Sequence, residues 1–265
     1  MGAFDFDALR SGLEAAVLAA GEAIIAVRDR GRVRVRHKED GEGPVTEADY
    51  AADKVLHERL MPLLRGAHWL SEESEQLAPL IHGEPTWVVD PLDGTREFVR
   101  GLAEFGVTVG LFVDDRLVLG AVGLPIERSV LSGLVVDGRC EARRDGVPIP
   151  PLAAGAVRRV VVSRHDYERR RVHYQIPFEV YPCGSAAVKL AHAADGSADV
   201  YLSTGPRSVW DVAGGTAVLA ATGGALMQFD GRALELSPQQ VHVPPYAAGA
   251  PDSCRELLRR LGARF

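Results

Sequence analysis

Four carboxylates in this sequence stand where they could hold a hard cation: Glu72, Asp90, Asp93 and Asp211. Asp90 and Asp93 share one run, Trp87-Val88-Val89-Asp90-Pro91-Leu92-Asp93-Gly94-Thr95. The run opens as a buried strand and breaks at Pro91, which stiffens the turn. Two aspartates on such a turn can converge, and the Leu92 carbonyl lies between them as a further oxygen. Mg²⁺ takes oxygen ligands of this kind and usually keeps several waters. Gly94 and Thr95 then offer backbone N–H groups, and Thr95 a hydroxyl, to an anion. A phosphate bridging two metals there would have its attacking and leaving oxygens polarised.

Each of these residues also has an ordinary structural reading. Asp-Pro and Asp-Gly are common turn dipeptides. Paired glutamates such as Glu72-Glu73 usually lie on the surface. Asp211 after Trp210, and Asp49 after Thr46, stand where helix-capping acids stand. What points to a site is their joint presence in one order along the chain. Other chemistries find less support. No Gly-x-Ser-x-Gly elbow occurs, and the eight histidines show no metal-ligand spacing. Cys140, Cys183 and Cys254 are odd in number and far apart, which suits free thiols in a reducing compartment.

The elements that must position these residues are partly readable. Leu9, Leu13, Val17, Ala20 and Ile24 recur by three and four, so Phe4–Val27 reads as an amphipathic helix. Thr46 and Asp49 form a capping-box-like start for a second helix to about Leu64. Short strands are expected at His68–Leu70 and Thr86–Val89. Phe105–Val113 and Arg116–Gly123 read as a hairpin about Asp114-Asp115, with a further strand at Ser129–Val136. Pro148–Gly155, rich in Pro, Ala and Gly, reads as the boundary between two halves. Residues 1–150 would then form an α+β half carrying most metal ligands. Residues 151–265 would form an α/β half carrying substrate contacts and the Trp210-Asp211 pair.

In that second half strands are expected at Arg159–Ser163, Phe178–Tyr181 and Asp199–Leu202. Helices are expected after Gly184-Ser185 through His192, at Asp211–Ala221 with Gly223-Gly224 closing it, and at Cys254–Leu261. Such mixed order implies alternating α and β layers.

With 265 residues, 46% of them apolar, the chain can bury a full core. The net charge of −6 argues against a nucleic-acid polymer as partner. It leaves room for a small anionic ligand at a locally positive site. No signal-peptide layout and no membrane-length apolar run is evident, so the sequence reads as a soluble, cytoplasmic protein.

The order Glu72-Glu73-Ser74, then Trp87 to Thr95, then Trp210-Asp211-Val212-Ala213-Gly214 with Gly223-Gly224 downstream, resembles the inositol monophosphatase superfamily. The resemblance spans the first helix to Gly224. It implies a five-layered αβαβα sandwich. It implies two to three Mg²⁺ ions held by Glu72, Asp90, the Leu92 carbonyl, Asp93 and Asp211, with Asp49 near the weakest ion. Thr95, partnered by Glu72, would orient and help deprotonate a metal-bound water, and the Gly94 and Thr95 amides would hold the phosphate. Lys38 falls where the family often places a lysine on a loop. Inhibition by lithium is also implied.

Three features resemble the bacterial bisphosphate nucleotidase branch of that superfamily: Thr95-Arg96-Glu97-Phe98, Glu104-Phe105, and Gly205-Pro206-Arg207 before Trp210-Asp211. Tyr201–Val209 lacks the glutamate with which the inositol enzymes bind their polyol. A second phosphate needs cations away from the metals, and Arg164, Lys189 and Arg207 are candidates, with Ser185 on the same loop as Lys189. The Gly184–Lys189 loop has the length found in the inositol enzymes and the lysine of the nucleotidases. The expected substrate is therefore a small phosphorylated metabolite. 3′-Phosphoadenosine 5′-phosphate comes first, as a clearing step in sulfate assimilation, and an inositol or sugar phosphate second. A regulatory protein that keeps the fold and contacts RNA or RNA polymerase is a further alternative. A monomer or a homodimer is equally compatible.

Overall fold

The computed structural model describes residues 4–31, 33–37, 44–74, 80–153 and 155–262. Lys38 lies outside the described residues. Helix α1, Phe6–Asp29, opens on Asp5, whose carboxylate accepts from the Ala8 N–H at 3.0 Å. The stripe Leu9, Leu13, Val17, Ala20 and Ile24 is buried along it. Helix α2, Glu47–Leu60, opens on the expected capping box of Thr46 and Asp49. It stops short of Leu64, in keeping with Pro62, which has no N–H to continue the ladder.

The two helices cover one face of a seven-stranded sheet. Its strands are β1 (His68–Ser71), β2 (Thr86–Asp93), β3 (Gly106–Val113), β4 (Arg116–Leu124), β5 (Ser129–Val136), β6 (Arg139–Arg144) and β7 (Val147–Pro148), in sequential order. Only β1 and β2 run parallel; the rest are antiparallel. The short helix α3, Thr95–Val99, follows β2 directly. Strands β6 and β7 were not expected. β6 is largely polar and both strands are wholly or partly exposed, as an edge permits.

A second, five-stranded sheet contains β8 (Arg159–Ser163), β9 (Glu179–Cys183), β10 (Val200–Ser203), β11 (Ala225–Gln228) and β12 (Tyr246–Gly249), ordered β9-β8-β10-β12-β11. Helix α4 (Arg164–Glu168) follows β8, and α5 (Ala186–Ala194) follows β9. Helix α6 (Val209–Ala221) follows the turn after β10, and α7 (Pro251–Leu261) follows β12. Helices α5 and α6 lie between the two sheets, and α7 covers the outer face of the smaller one. The layers therefore run α1/α2, large sheet, α5/α6, small sheet, α7, the five-layered αβαβα order that was expected.

Helix α6 sits unusually close to the large sheet. A Cβ on Gly214 would collide with the Ala121 carbonyl and the Thr108 hydroxyl, and would meet the Val109 carbonyl at 2.7 Å. Glycine thus permits an approach that brings the first turn of α6 down onto the end of β2. Gly223, at φ +83°, and Gly224, whose N–H reaches Leu219 O at 2.9 Å, close α6 in the expected capping role.

Candidate active site

The regular register between β2 and β3 fails between Asp90 and Asp93. That break frees the end of β2 to curl, and the Leu92 N–H turns back onto Asp90 Oδ1 at 2.9 Å. Because β1 is parallel to β2, the turn after β1 arrives at the same level, and the Glu72 N–H bonds Val89 O at 3.1 Å. Asp211 enters from the other side in the first turn of α6, where it also accepts from the Ser208 N–H at 3.1 Å. It is a helix cap and a site residue at once. One carboxylate oxygen from each of Glu72, Asp90 and Asp211 lies within 4.8 Å of the other two.

Asp93 stands beside this trio, anchored by one oxygen. Its Oδ2 accepts from Ser185 Oγ at 2.7 Å and from the Ala187 N–H at 2.6 Å. Asp49 completes the acidic group. Its Oδ2 takes the Thr46 N–H and hydroxyl at 2.7 and 2.6 Å, and its Oδ1 lies 3.1 Å from Thr95 Oγ1. The Thr95 hydroxyl also lies 3.0 Å from Leu92 O. Asp49 is thus one carboxylate bonded to Thr95.

The charges repel. Burial, then Glu72, Asp93 and Asp211, push Asp90 well above the usual carboxylate range. Burial, then Asp93 and Glu72, push Asp211 up to about 8. Burial raises Asp49 to about 6 against the pull of its Thr46 and Thr95 hydrogen bonds. Several buried, mutually repelling oxygen donors converging on one point fit a hard divalent cation, whose charge would relieve that repulsion.

Glu72, Asp90, Asp93, Thr95 and Asp211 line one cavity of about 550 Å³, which also carries Gly94, Arg164, Arg170, Arg207 and Lys189. The basic residues are not equivalent. Arg164 is paired with Glu104, whose Oε2 also accepts from the Gly184 N–H at 2.8 Å. Lys189 is buried, and its Nζ donates to the carbonyls of Cys183, Gly184 and Ser185 at 3.2, 2.9 and 2.5 Å. Ser185 Oγ serves Asp93 and also accepts from the Val188 N–H. The sequence reading placed Lys189 and Ser185 against substrate; here their polar atoms are engaged with the protein. Arg207 differs: among the described residues its side-chain contacts are long, 3.5 Å to the Tyr201 hydroxyl and 3.3 Å to Pro206 O.

Sequence reasoning missed Asp166. It is buried on the cavity wall and accepts from Thr204 Oγ1 at 2.7 Å, and Arg170 donates to the same Thr204 hydroxyl at 2.7 Å. Nothing local marks it, because Thr204 is 38 residues away. It also missed Glu104 as the acceptor joining Arg164 to Gly184, although Glu104-Phe105 had been singled out.

The model of the inositol monophosphatase family matches residues 5–259. The chain belongs to that family. Its relatives include a 3′(2′),5′-bisphosphate nucleotidase CysQ of Salmonella typhimurium, 31% identical over 236 residues that cover 85% of this chain and 93% of the relative. Inositol monophosphatase 3 of Solanum lycopersicum is 28% identical over 247 residues, covering 86% of this chain and 90% of the relative. Among solved structures, the extragenic suppressor protein suhB of Bartonella henselae superposes with a TM-score of 0.76 at 22% identity over 96% of this chain and 98% of that one. An inositol monophosphatase from Anabaena does so at 0.76 and 24%, over 97% and 96%. These structural likenesses carry the αβαβα fold. Membership of the inositol monophosphatase family makes the chain a phosphoric monoester hydrolase of a metal-dependent kind. Among the described residues no helix is long and apolar enough to cross a membrane.

Proposed function

We propose that this enzyme is a Mg²⁺-dependent 3′(2′),5′-bisphosphate nucleotidase that hydrolyses 3′-phosphoadenosine 5′-phosphate to AMP and phosphate. The observation that carries this reading is a single cavity lined both by Glu72, Asp90, Asp93 and Asp211 and by the under-bonded Arg207. The relatives named as bisphosphate nucleotidases point the same way. Glu72, Asp90, the Leu92 carbonyl, Asp93 and Asp211 would hold the magnesium ions, with Asp49 at the margin. When bound, Mg²⁺ supplies positive charge to phosphoryl oxygens and lowers the pKa of water.

The rest is done by the chain. The Gly94 and Thr95 N–H groups, at the start of α3 on the cavity wall, would hold and orient the reacting phosphate. The Asp49–Thr95 pair offers an acceptor for a proton of the attacking water. Water adds to phosphorus, the ester P–O bond breaks, and the proton passes to the leaving ribose oxygen. Arg207 then reads the second, unreacted phosphate, with Arg164, paired with Glu104 and Glu168, adding positive charge to the same cavity. The product would be released into the cytoplasm of the cell.

Asp166 supports a second reading. A buried carboxylate on the cavity wall could accept the hydroxyls of an inositol or sugar phosphate, and the Solanum relative carries an inositol phosphatase name. Phosphate release from 3′-phosphoadenosine 5′-phosphate, inositol 1-phosphate and fructose 1,6-bisphosphate, with Mg²⁺ and with or without Li⁺, separates the two. The nucleotidase reading expects the nucleotide to lead in kcat/KM by about a hundredfold, a difference of about 2.7 kcal/mol. An inositol or sugar ester in the lead would transfer the assignment to the second reading.

A further inference from the structure

The Gly184-Ser185 turn is held under strain. Ser185 lies at φ +49°, a sparsely populated region for a residue with a side chain. Gly184 has no room for one, since a Cβ would run into Glu97 and would meet the Glu104 carbonyl at 2.9 Å. Such a turn persists only where its surroundings over-determine it. Two side chains do this, one at each polar edge of the backbone. Glu104 takes the Gly184 N–H at 2.8 Å. Lys189 gives its ammonium protons to three successive carbonyls, those of Cys183, Gly184 and Ser185. Lys189 stands near the N-terminus of α5, where a cation opposes the helix dipole. Helix stability therefore gives no reason for a lysine there, whereas the three carbonyls do.

The turn has one output toward the site. Ser185 Oγ and the Ala187 N–H both land on Asp93 Oδ2. With two donors on Oδ2, Oδ1 is the less encumbered oxygen for a cation. We propose that Lys189 and Glu104 are positioning residues that clamp the Cys183–Ser185 turn from its carbonyl and N–H edges and so fix which oxygen of Asp93 is offered to the metal. This rests on the reading of the acidic cluster as a magnesium site. It also gives Lys189 a different task from reading a second phosphate.

The test is calorimetric titration of Mg²⁺ into the metal-stripped full-length protein, with the melting temperature recorded for every variant. Outer partners that orient a ligand carboxylate typically carry tenfold or more in metal affinity, so Glu104→Leu and Lys189→Met should each weaken Mg²⁺ binding by about tenfold. Glu104→Gln keeps an oxygen for the Gly184 N–H and should stay near wild type. In a Ser185→Ala background Glu104→Leu should cost less than it does alone, because the two changes share the Ser185 bond to Asp93 while the Ala187 N–H remains. The ratio of KM for a bisphosphate to KM for a monophosphate should not move in Lys189→Met.

Unchanged Mg²⁺ affinity in a folded Glu104→Leu protein would overturn the clamp. So would a Lys189→Met protein that loses affinity for the bisphosphate alone. If Lys189→Met does not fold, Glu104→Leu and its glutamine rescue decide the matter. Wild type and Asp93→Asn separate the two levels of the argument. If wild type binds no Mg²⁺, the metal-site reading fails and the clamp falls with it. If wild type binds, Asp93→Asn does not, and Glu104→Leu behaves as wild type, only the clamp is wrong.

Discussion

Asp93 and Arg207 show how much a side chain's neighbours decide what it can do. Asp93 is half-buried and held by one oxygen, so its carboxylate is set before any ligand arrives. Asp93→Asn keeps the shape and an acceptor for Ser185 while removing a charge from the cluster. Phosphatase activity should fall by at least about a hundredfold, with the melting temperature of the metal-free protein unchanged or raised. A variant that kept substantial activity would show that the cations are held elsewhere. Arg207 is the complementary case. The Tyr201 phenol beside it raises its already high proton affinity, so it is a fixed positive charge at any working pH. Charged hydrogen bonds are worth about 1.5–3 kcal/mol. Arg207→Ala should therefore raise KM for 3′-phosphoadenosine 5′-phosphate some ten- to hundredfold and leave KM for inositol 1-phosphate nearly alone. Steady-state kinetics on both esters checks this, and equal effects would remove Arg207 from second-phosphate recognition.

At the scale of elements, the site depends on how closely α6 lies on the large sheet. Gly214→Ala would press a methyl into Ala121 O, Val109 O and the Thr108 hydroxyl, most of which is backbone that cannot yield. Overpacking of this kind costs about 1–3 kcal/mol. Alanine's better helix propensity, about 1 kcal/mol, runs the other way and is on the whole smaller. The expected result is a lower urea midpoint together with weaker Mg²⁺ binding, because the first turn of α6 carries Asp211 away from Asp90. Normal Mg²⁺ affinity in the destabilised protein would show that Asp211 is placed by its own cap rather than by the helix.

Elements of this kind were unevenly legible in the sequence. The helix periodicity of α1, the Thr46 box and the Asp90–Thr95 turn are local signals, and the metal-ligand candidates came with them. The polar edge strand β6 and the short strands β11 and β12 carry no such signal, since they are defined by what they pair with. The hydrogen-bond partners of Lys189 and Ser185 were not legible for a related reason. A lysine's partners depend on a strained backbone turn that composition does not reveal.

Over the whole molecule, the acidic cluster joins stretches far apart in sequence: the turn after β1, the end of β2, and the first turn of α6. A cation there ties the large sheet to a helix that also supports the small one, so metal binding and folding are linked. The direction with pH follows from the raised aspartates. Asp211 has an ordinary value of 3.8 when unfolded and about 8 in the fold. The native state therefore holds a proton that the unfolded chain has lost, and the metal-free protein loses stability as pH rises from about 4 to about 8. Asp90 shifts the same way through burial and its carboxylate neighbours. Mg²⁺ needs these groups ionised, so below about pH 8 it must displace protons to bind. Its apparent affinity should climb with pH and level off beyond about 8, and its stabilising effect should be larger in alkaline buffer. Titrations at about pH 6.5 and about pH 9, each in two buffers of different ionisation heat, count the protons released per ion. More protons at the lower pH would match the cluster described here. Equal release at both would mean that the carboxylates are ionised before the metal arrives, held so by a countercharge that the raised aspartates argue against.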